Sequence, residues 1–248
     1  MAITTHAFQG MGKLYARLYG ASSGLIPLGN CSKLELNVEE DIKRMQDFQT
    51  ASGGTAATSH IIKSVGIDMT LHDISPANLA IALLGSVTEI IGGTVTEEPQ
   101  TVYLGQLTLT NYSLISSVVV KPATGTPTPY VQDTDYQVLQ GGIIALPGGA
   151  LTSGQSVKIS YSYAGADVVQ ALTSTAKIWN LYFDGMNIAD NARPVPVQVF
   201  RAQLGAAKKI SLLGTDMEAL EISGDVLKDT TITTVGLSQF FDIAQQST

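Results

Sequence analysis

Strict alternation of apolar and polar residues is the feature that most constrains the fold of this chain. Residues 33–39 (KLELNVE) place apolar side chains on one face of an extended strand and polar side chains on the other. Residues 67–72 (IDMTLH) and 218–223 (EALEIS) repeat the pattern. Such strands are buried on one face, as in antiparallel sheets. The polar faces of these three strands contain Lys33, Glu35, Asn37, Asp68, Thr70, His72, Glu221 and Ser223.

These strands belong to a predicted β framework that is interrupted twice. Residues 177–190 have apolar side chains on both faces and are predicted to form a central strand. The other predicted framework strands are residues 12–20, 31–40, 61–73, 194–205 and 216–227. The pattern predicts a mainly β fold, with antiparallel strands in a sandwich or barrel-like arrangement.

The first interruption, residues 41–60, is polar and contains the pair Gly53-Gly54. It is too long for an ordinary hairpin turn, and compact domains rarely contain about 20 residues of irregular connection without a function. We therefore expect an irregular loop that folds onto another molecule and is mobile in the free subunit.

One short helix is predicted after the third strand. Ser75 is a suitable N-cap, Pro76 fits the first helical position, and Gly85 is expected to end the helix. Residues 79–84 are all apolar, so the helix should be buried against a sheet.

The second interruption is residues 101–166, where only Lys121, Asp133, Asp135 and Lys158 are charged. Short strands alternate with turn sequences such as QGG and PGG. This pattern predicts an inserted small β-sandwich domain on the outside of the protein. Residues 1–100 and 167–248 would then form one discontinuous core domain.

Composition excludes several functional classes. Net charge is -7 and the basic residues are dispersed, which disfavours tight nucleic-acid binding. Only 14% of residues are charged, against about 25% in an average protein. This favours either an oligomer with extensive contacts or a β protein rich in Gly, Thr and Ser. Cys31 is the only cysteine, and no apolar run is long enough for a membrane helix.

Candidate catalytic patterns are weak. Residues 20–24 (GASSG) match a nucleophile elbow, but residues 25–29 (LIPLG) cannot open the helix that an elbow requires. His6, His60 and His72 lack the short spacing of a metal site. The acidic pairs Glu39-Glu40 and Glu97-Glu98 lie beside loops and are expected to be solvated. We therefore expect neither enzymatic activity nor a cofactor or metal ion.

The order of elements resembles that of the tail tube proteins, or major tail proteins, of long-tailed bacteriophages. The resemblance lies in the order and spacing of several stretches: residues 25–41 with the following loop, 67–85, 182–214, 217–229 and 238–243. Residues 101–166 lie outside the core pattern, although inserted outer domains occur in such proteins.

This resemblance implies a β-sandwich subunit with a flanking helix, assembled as hexameric rings that stack into a hollow conduit for DNA. The partners would be other copies, together with tail sheath, tape measure, terminator and baseplate proteins. DNA would pass without sequence-specific binding, and no membrane insertion is implied. The protein would be made in the host bacterial cytoplasm and reside in the virion tail.

The resemblance also implies roles for two residue sets. The polar faces named above would line the lumen. The loop at residues 41–60 would contact the neighbouring ring through Asp41, Lys43, Arg44, Gln46, Asp47, Phe48, Gly53, Gly54 and His60.

Two alternatives remain open. Tube proteins of contractile injection and type VI secretion systems share this fold, and fold alone does not separate them from phage proteins. A carbohydrate-binding or adhesin-like β protein is a different class, for which Tyr130 and Tyr136 are the candidate stacking residues near loops.

Overall fold

The structure, a computed structural model, describes residues 7–49, 51–125 and 128–246. The protein is mainly β, with antiparallel sheets and one short α-helix. It divides into two compact units, Met1–Val87 with Val169–Thr248, and Thr88–Val168.

The elements follow the chain in this order: β1 (Gly10–Leu18), β2 (Ile26–Pro27), β3 (Cys31–Gln46), β4 (Thr55–Leu71), α1 (Pro76–Ala82), β5 (Ser86–Ile90), β6 (Gly93–Val102), β7 (Leu107–Leu109), β8 (Ile115–Pro122), β9 (Tyr136–Leu139), β10 (Gly142–Ala145), β11 (Gln155–Tyr163), β12 (Ala166–Gln170), β13 (Ile178–Asn187), β14 (Arg193–Pro194), β15 (Val197–Leu204), β16 (Leu220–Val226) and β17 (Phe241–Ile243). A single 3-10 turn spans Ile188–Asp190.

The first unit is built on one large sheet with the strand order β2-β1-β13-β15-β16-β4-β3. β14 pairs with β13, and β17 pairs with β15. β13 lies between β1 and β15, as its two apolar faces predict. The described part of the chain contains no closed barrel, so this sheet has two ends.

One face of the large sheet carries the hydrophobic core of the first unit. Its alternating residues point to the same side because cross-strand partners share a face. Helix α1 adds Ile81 and Ala82 to this core. The largest fully buried side chains of the core are Leu14, Leu28, Ile67, Met69, Leu71, Leu181, Leu204, Leu220 and Ile222.

Helix α1 begins as predicted and ends earlier. The Ser75 hydroxyl accepts a hydrogen bond from the Asn78 amide at 3.3 Å, and Pro76 is the first helical residue. The helix ends at Ala82, and Leu84 takes the left-handed conformation (φ 48°) expected at Gly85. Gly85 has a different role, because a Cβ there would lie 2.3 Å from the Gln170 carbonyl oxygen.

The prediction of an irregular loop at residues 41–60 is wrong. β3 and β4 continue as a paired hairpin, from Asp41 opposite Ile61 to Gln46 opposite Thr55. Register shifts at Glu39/Glu40 and at Met45/Gln46 interrupt the two-residue period. Because each shift moves the following side chains out of phase, the sequence loses its alternation although the backbone stays extended.

The second unit contains two three-stranded sheets, β6-β11-β8 and β7-β10-β9, around its own core. The predicted start at residue 101 is wrong, because β6 pairs with β11 from Gly93 onwards and the unit begins at Thr88. The charge count misplaced the boundary, since Glu97 and Glu98 lie within β6. The chain enters the second unit along β5 and leaves it along β12, and these two strands pair with each other.

Glu98 is buried, contrary to the expectation of a solvated pair. Its carboxylate accepts hydrogen bonds from the Tyr161 hydroxyl at 2.5 Å, the Gln100 amide at 2.7 Å and the Asn111 backbone at 3.1 Å. Burial is the larger cause that raises the pKa of the Tyr161 hydroxyl to about 12, and its hydrogen bond to Glu98 is the next. These partners satisfy a carboxylate that would otherwise be costly to bury.

Asp135 connects two loops of the second unit through hydrogen bonds. Its carboxylate oxygens accept hydrogen bonds from the backbone N–H groups of Ala150 and Val131, each at 2.7 Å. These bonds, that from Ala150 first, lower the pKa of Asp135. A carboxyl whose pKa is lower in the folded state stabilises the fold above its unfolded pKa, and this contribution disappears as the pH falls.

Asp135→Asn should therefore destabilise the second unit at neutral pH and weaken the dependence of its stability on acid. Asp133→Asn is the matched control, because it removes the same charge from an exposed side chain two residues away. Hydrogen exchange of peptides covering residues 130–150 measures the effect. Equal protection in the two variants would contradict this role.

Candidate assembly surfaces

The predicted polar residues lie together on one face of three adjacent strands. Asp68 is opposite Ser223 of β16 on one side and opposite Glu35 of β3 on the other. Thr70 is likewise opposite Glu221 and Lys33. We call this surface the polar face; it consists of Lys33, Glu35, Asn37, Asp68, Thr70, Glu221 and Ser223.

His72 lies just beyond the end of β4, outside the polar-face ladder. Its Nε2 is 2.7 Å from the Ser32 hydroxyl. It remains at the margin of the predicted set.

Hydrogen bonds and charges organise the polar face. The Asn37 amide donates to Asp68 at 2.8 Å, and Lys33 pairs with Glu35 at 3.0 Å. The Ser223 hydroxyl is the largest cause of a lowered pKa at Asp68. The Glu35 carboxylate raises the pKa of Lys33. Lys208 also acts on Asp68, so the carboxylates have a second cation nearby that the sequence pattern missed.

The same side of the large sheet continues onto β1 and β13. Lys13 is opposite Asp184 and Arg17 opposite Asn180, in alternation with the core residue Leu14. The alternation of residues 13–18 (KLYARL) could have assigned Lys13 and Arg17 to the polar side of this strand from the sequence. Near the end of β1, the Arg201 guanidinium lies 4.8 Å from the Tyr19 ring centroid.

The outer half of the β3–β4 hairpin forms a second surface. We call residues 39–49 and 51–63 the arm. Every described residue of the arm except Asp47 is exposed. Its exposed large apolar side chains are Ile42, Met45, Phe48, Ile61 and Ile62.

The predicted ring-contact residues all lie on the arm. Four belong to β3, namely Asp41, Lys43, Arg44 and Gln46. Asp47, Phe48, Gly53 and Gly54 lie at the tip, where Gly53 (φ 63°) and Gly54 (φ 126°) take conformations suited to glycine. His60, on β4, lies 3.0 Å from Glu40, and Lys63 pairs with Glu39 at 3.1 Å.

A cleft of about 880 Å³ forms a third surface, between β1 and β3 of the large sheet. Residues 10–12 of β1 and residues 31–36 of β3 line it, together with Phe183, Val197 and Ile243. Among the described strands, β3 pairs only with β4, and β1 pairs with β2 only at Tyr15 and Ala16. Two strand edges with unpaired backbone groups therefore meet at one cavity.

Among the described residues, the nucleophile-elbow match lacks the helix that an elbow requires. Residues 20–24 lie in the connection from β1 to β2, a strand rather than a helix. His6 lies outside the described residues. Within the described ranges, no three His, Cys, Asp or Glu side chains are grouped to hold a metal ion. The described helices include none long and apolar enough to cross a bilayer.

Comparison with known proteins gives one family. A family model described as "Protein of unknown function UCP028589" matches residues 7–244. A search of curated proteins gave no match.

Ser223→Ala should raise the pKa of Asp68 towards its ordinary value, because the hydroxyl is the main stabiliser of the charged carboxylate. Carbon-detected NMR titration of the carboxyl group measures this pKa. Ser64→Ala is the control and should leave the Asp68 pKa unchanged, since this hydroxyl of the same strand donates to Glu39 instead. An unchanged Asp68 pKa in Ser223→Ala would contradict the assignment.

Proposed function

We propose that this chain, which belongs to the protein family of unknown function UCP028589, is a structural subunit of a phage tail tube. In this proposal, hexameric rings of the protein stack into a hollow conduit for DNA. The role is one of assembly, without catalysis or a cofactor.

The arm is the observation that carries this proposal. An isolated two-stranded hairpin is marginally stable in water, and stable strands normally have a packed face. The arm has no packed face, and its apolar side chains lie in solvent. Contact with another copy would cover these side chains and offset the entropy of ordering the hairpin.

The sheet edges support contact with further copies of the chain. An exposed, long strand edge is a template for pairing with another chain. β3 offers such an edge over 16 residues, and β1 offers a shorter one. Contacts between two different surfaces of identical copies produce rings when the rotation closes and filaments when it does not.

The polar face suits the wall of a conduit. Its three carboxylates, on Glu35, Asp68 and Glu221, outnumber the cations of Lys33 and the nearby Lys208, and repetition around a ring would multiply this small negative excess. DNA within about 8–10 Å of such a wall would be repelled weakly, in a manner that salt screens. A hydrated acidic wall therefore favours passage over retention.

The adhesin alternative loses one of its two candidate residues. Tyr136 is 2% exposed, and its hydroxyl donates to the Val118 carbonyl at 2.9 Å. The Tyr130 hydroxyl accepts a hydrogen bond from Gln155 at 2.5 Å. A buried ring offers no face for a sugar, so Tyr136 does not favour carbohydrate binding. An injection-system tube would use the same surfaces as a phage tube.

Phe48→Asp should prevent stacking of the subunits without unfolding them, because Phe48 is 85% exposed at the arm tip. Ile91→Asp is the matched control: Ile91 is 81% exposed and belongs to the second unit. Negative-stain electron microscopy of concentrated protein is the measurement. Wild type and Ile91→Asp should form tubes, whereas Phe48→Asp should give single rings or monomers.

Circular dichroism verifies that both variants remain folded. Tubes formed equally well by Phe48→Asp would remove the arm from the contact. Monomeric wild-type protein under all assembly conditions would overturn the proposed function.

A further inference from the structure

We propose that the cleft between β1 and β3 is the receptor for the arm tip of a second copy of this chain. This inference rests on the proposed function and specifies which surface of the neighbouring copy the arm meets. The cleft and the arm are complementary in their side chains, their backbone groups and their positions.

The cleft offers an apolar interior with polar strand edges. Met11, Leu34 and Phe183 contribute to its lining, with Val197 and Ile243. Met11 and Ile243 are exposed, so their side chains have room to contact an incoming group. The volume of about 880 Å³ is far larger than one water requires and is in the range of cavities that hold sizeable ligands.

The arm tip offers the matching groups. Phe48 in the tip and Met45 just before it are the most exposed large apolar side chains of the arm. The outer edge of β3 along the arm also has no strand partner among the described residues. An extended segment can therefore pair its backbone with a cleft edge while its apolar side chains enter the cavity, as in β-strand addition.

The arm of one copy cannot reach its own cleft. The cleft includes β3 as far as Leu36, whereas the tip begins at Asp47, eleven residues further along the same hairpin. At about 3.3 Å per residue, this places the tip roughly 36 Å from the cleft. Pairing with β4 along this length keeps the hairpin extended, so the arm can enter the cleft of a second copy but not its own.

Such a contact joins two different surfaces of identical copies. Each bound copy still has its own arm free to bind a further copy, so assembly can continue beyond a dimer. Repeated along an axis, it stacks the subunits with one polarity. Each junction would be formed by an arm and a cleft from successive layers.

Cys31 provides a natural reporter, because the only cysteine of the chain lines the cleft. Its thiol lies 3.0 Å from the Lys33 carbonyl oxygen, and burial raises its pKa. A second thiol at the arm tip would approach Cys31 only in the proposed complex. Gln49→Cys supplies it next to Phe48 and leaves the Phe48 side chain intact.

The experiment treats assembled Gln49→Cys protein with a short bismaleimide and maps the linked peptides by mass spectrometry. We expect a ladder of covalent multimers in which Cys31 of one copy is linked to the introduced arm-tip thiol of another. The ladder should be lost when Cys31→Ser is combined with Gln49→Cys. Ile91→Cys, with an equally exposed new thiol, is the matched control and should give no ladder through Cys31.

The outcomes separate this inference from the proposed function. Normal tubes in which Cys31 is not linked to the arm-tip thiol, at every crosslinker length tried, would overturn the cleft as receptor and leave the tube proposal standing. Failure of wild-type protein to assemble would overturn both. Equal ladders from Gln49→Cys and Ile91→Cys would show unspecific crosslinking and would also contradict the cleft assignment.

Discussion

Antiparallel pairing between β3 and β4 underlies the polar face, the arm and one side of the cleft. Its inner half belongs to the large sheet, where Ile67, Met69 and Leu71 anchor β4 in the hydrophobic core. Its outer half continues as the same hydrogen-bonded ladder after the core has ended. The arm is thus an extension of two core strands, and the core fixes its direction at the base.

The same pair of strands places the polar face and the arm on one element. Glu35 and Asp68 are opposite each other in the ladder that, a few residues further on, pairs Asp41 with Ile61. A wall for a conduit and a contact between layers can therefore share one hairpin. The cleft lies where the unpaired edge of β3 approaches the unpaired edge of β1, from the other side of the sheet.

Sequence patterns predicted the strands in which burial alternates from residue to residue, as the side chains of an extended backbone do. The strands around Leu34, Met69 and Ile222 alternate because one face is buried and the other is not, and pairing of these strands brings their polar faces together. The start of helix α1 was predictable from Ser75 and Pro76, because capping is a local interaction.

The remaining features depend on contacts that are distant in sequence. The arm escaped prediction because register shifts removed its alternation and because no core imposes a pattern on exposed strands. The start of the second unit was misplaced because β6 is defined by pairing with β11, about 60 residues away. The cleft could not be predicted, since it depends on how the ends of the large sheet approach each other.

The most direct test of the account compares hydrogen exchange of the arm in free subunits and in assembled protein. We expect fast exchange of amides in residues 39–46 and 55–63 in the free subunit and strong protection after assembly. The inner part of β4, residues 67–71, is paired on both sides, with β3 and with β16, so it serves as an internal reference and should be protected in both states. Equal arm protection in the two states would contradict the claim that the arm is completed by another copy.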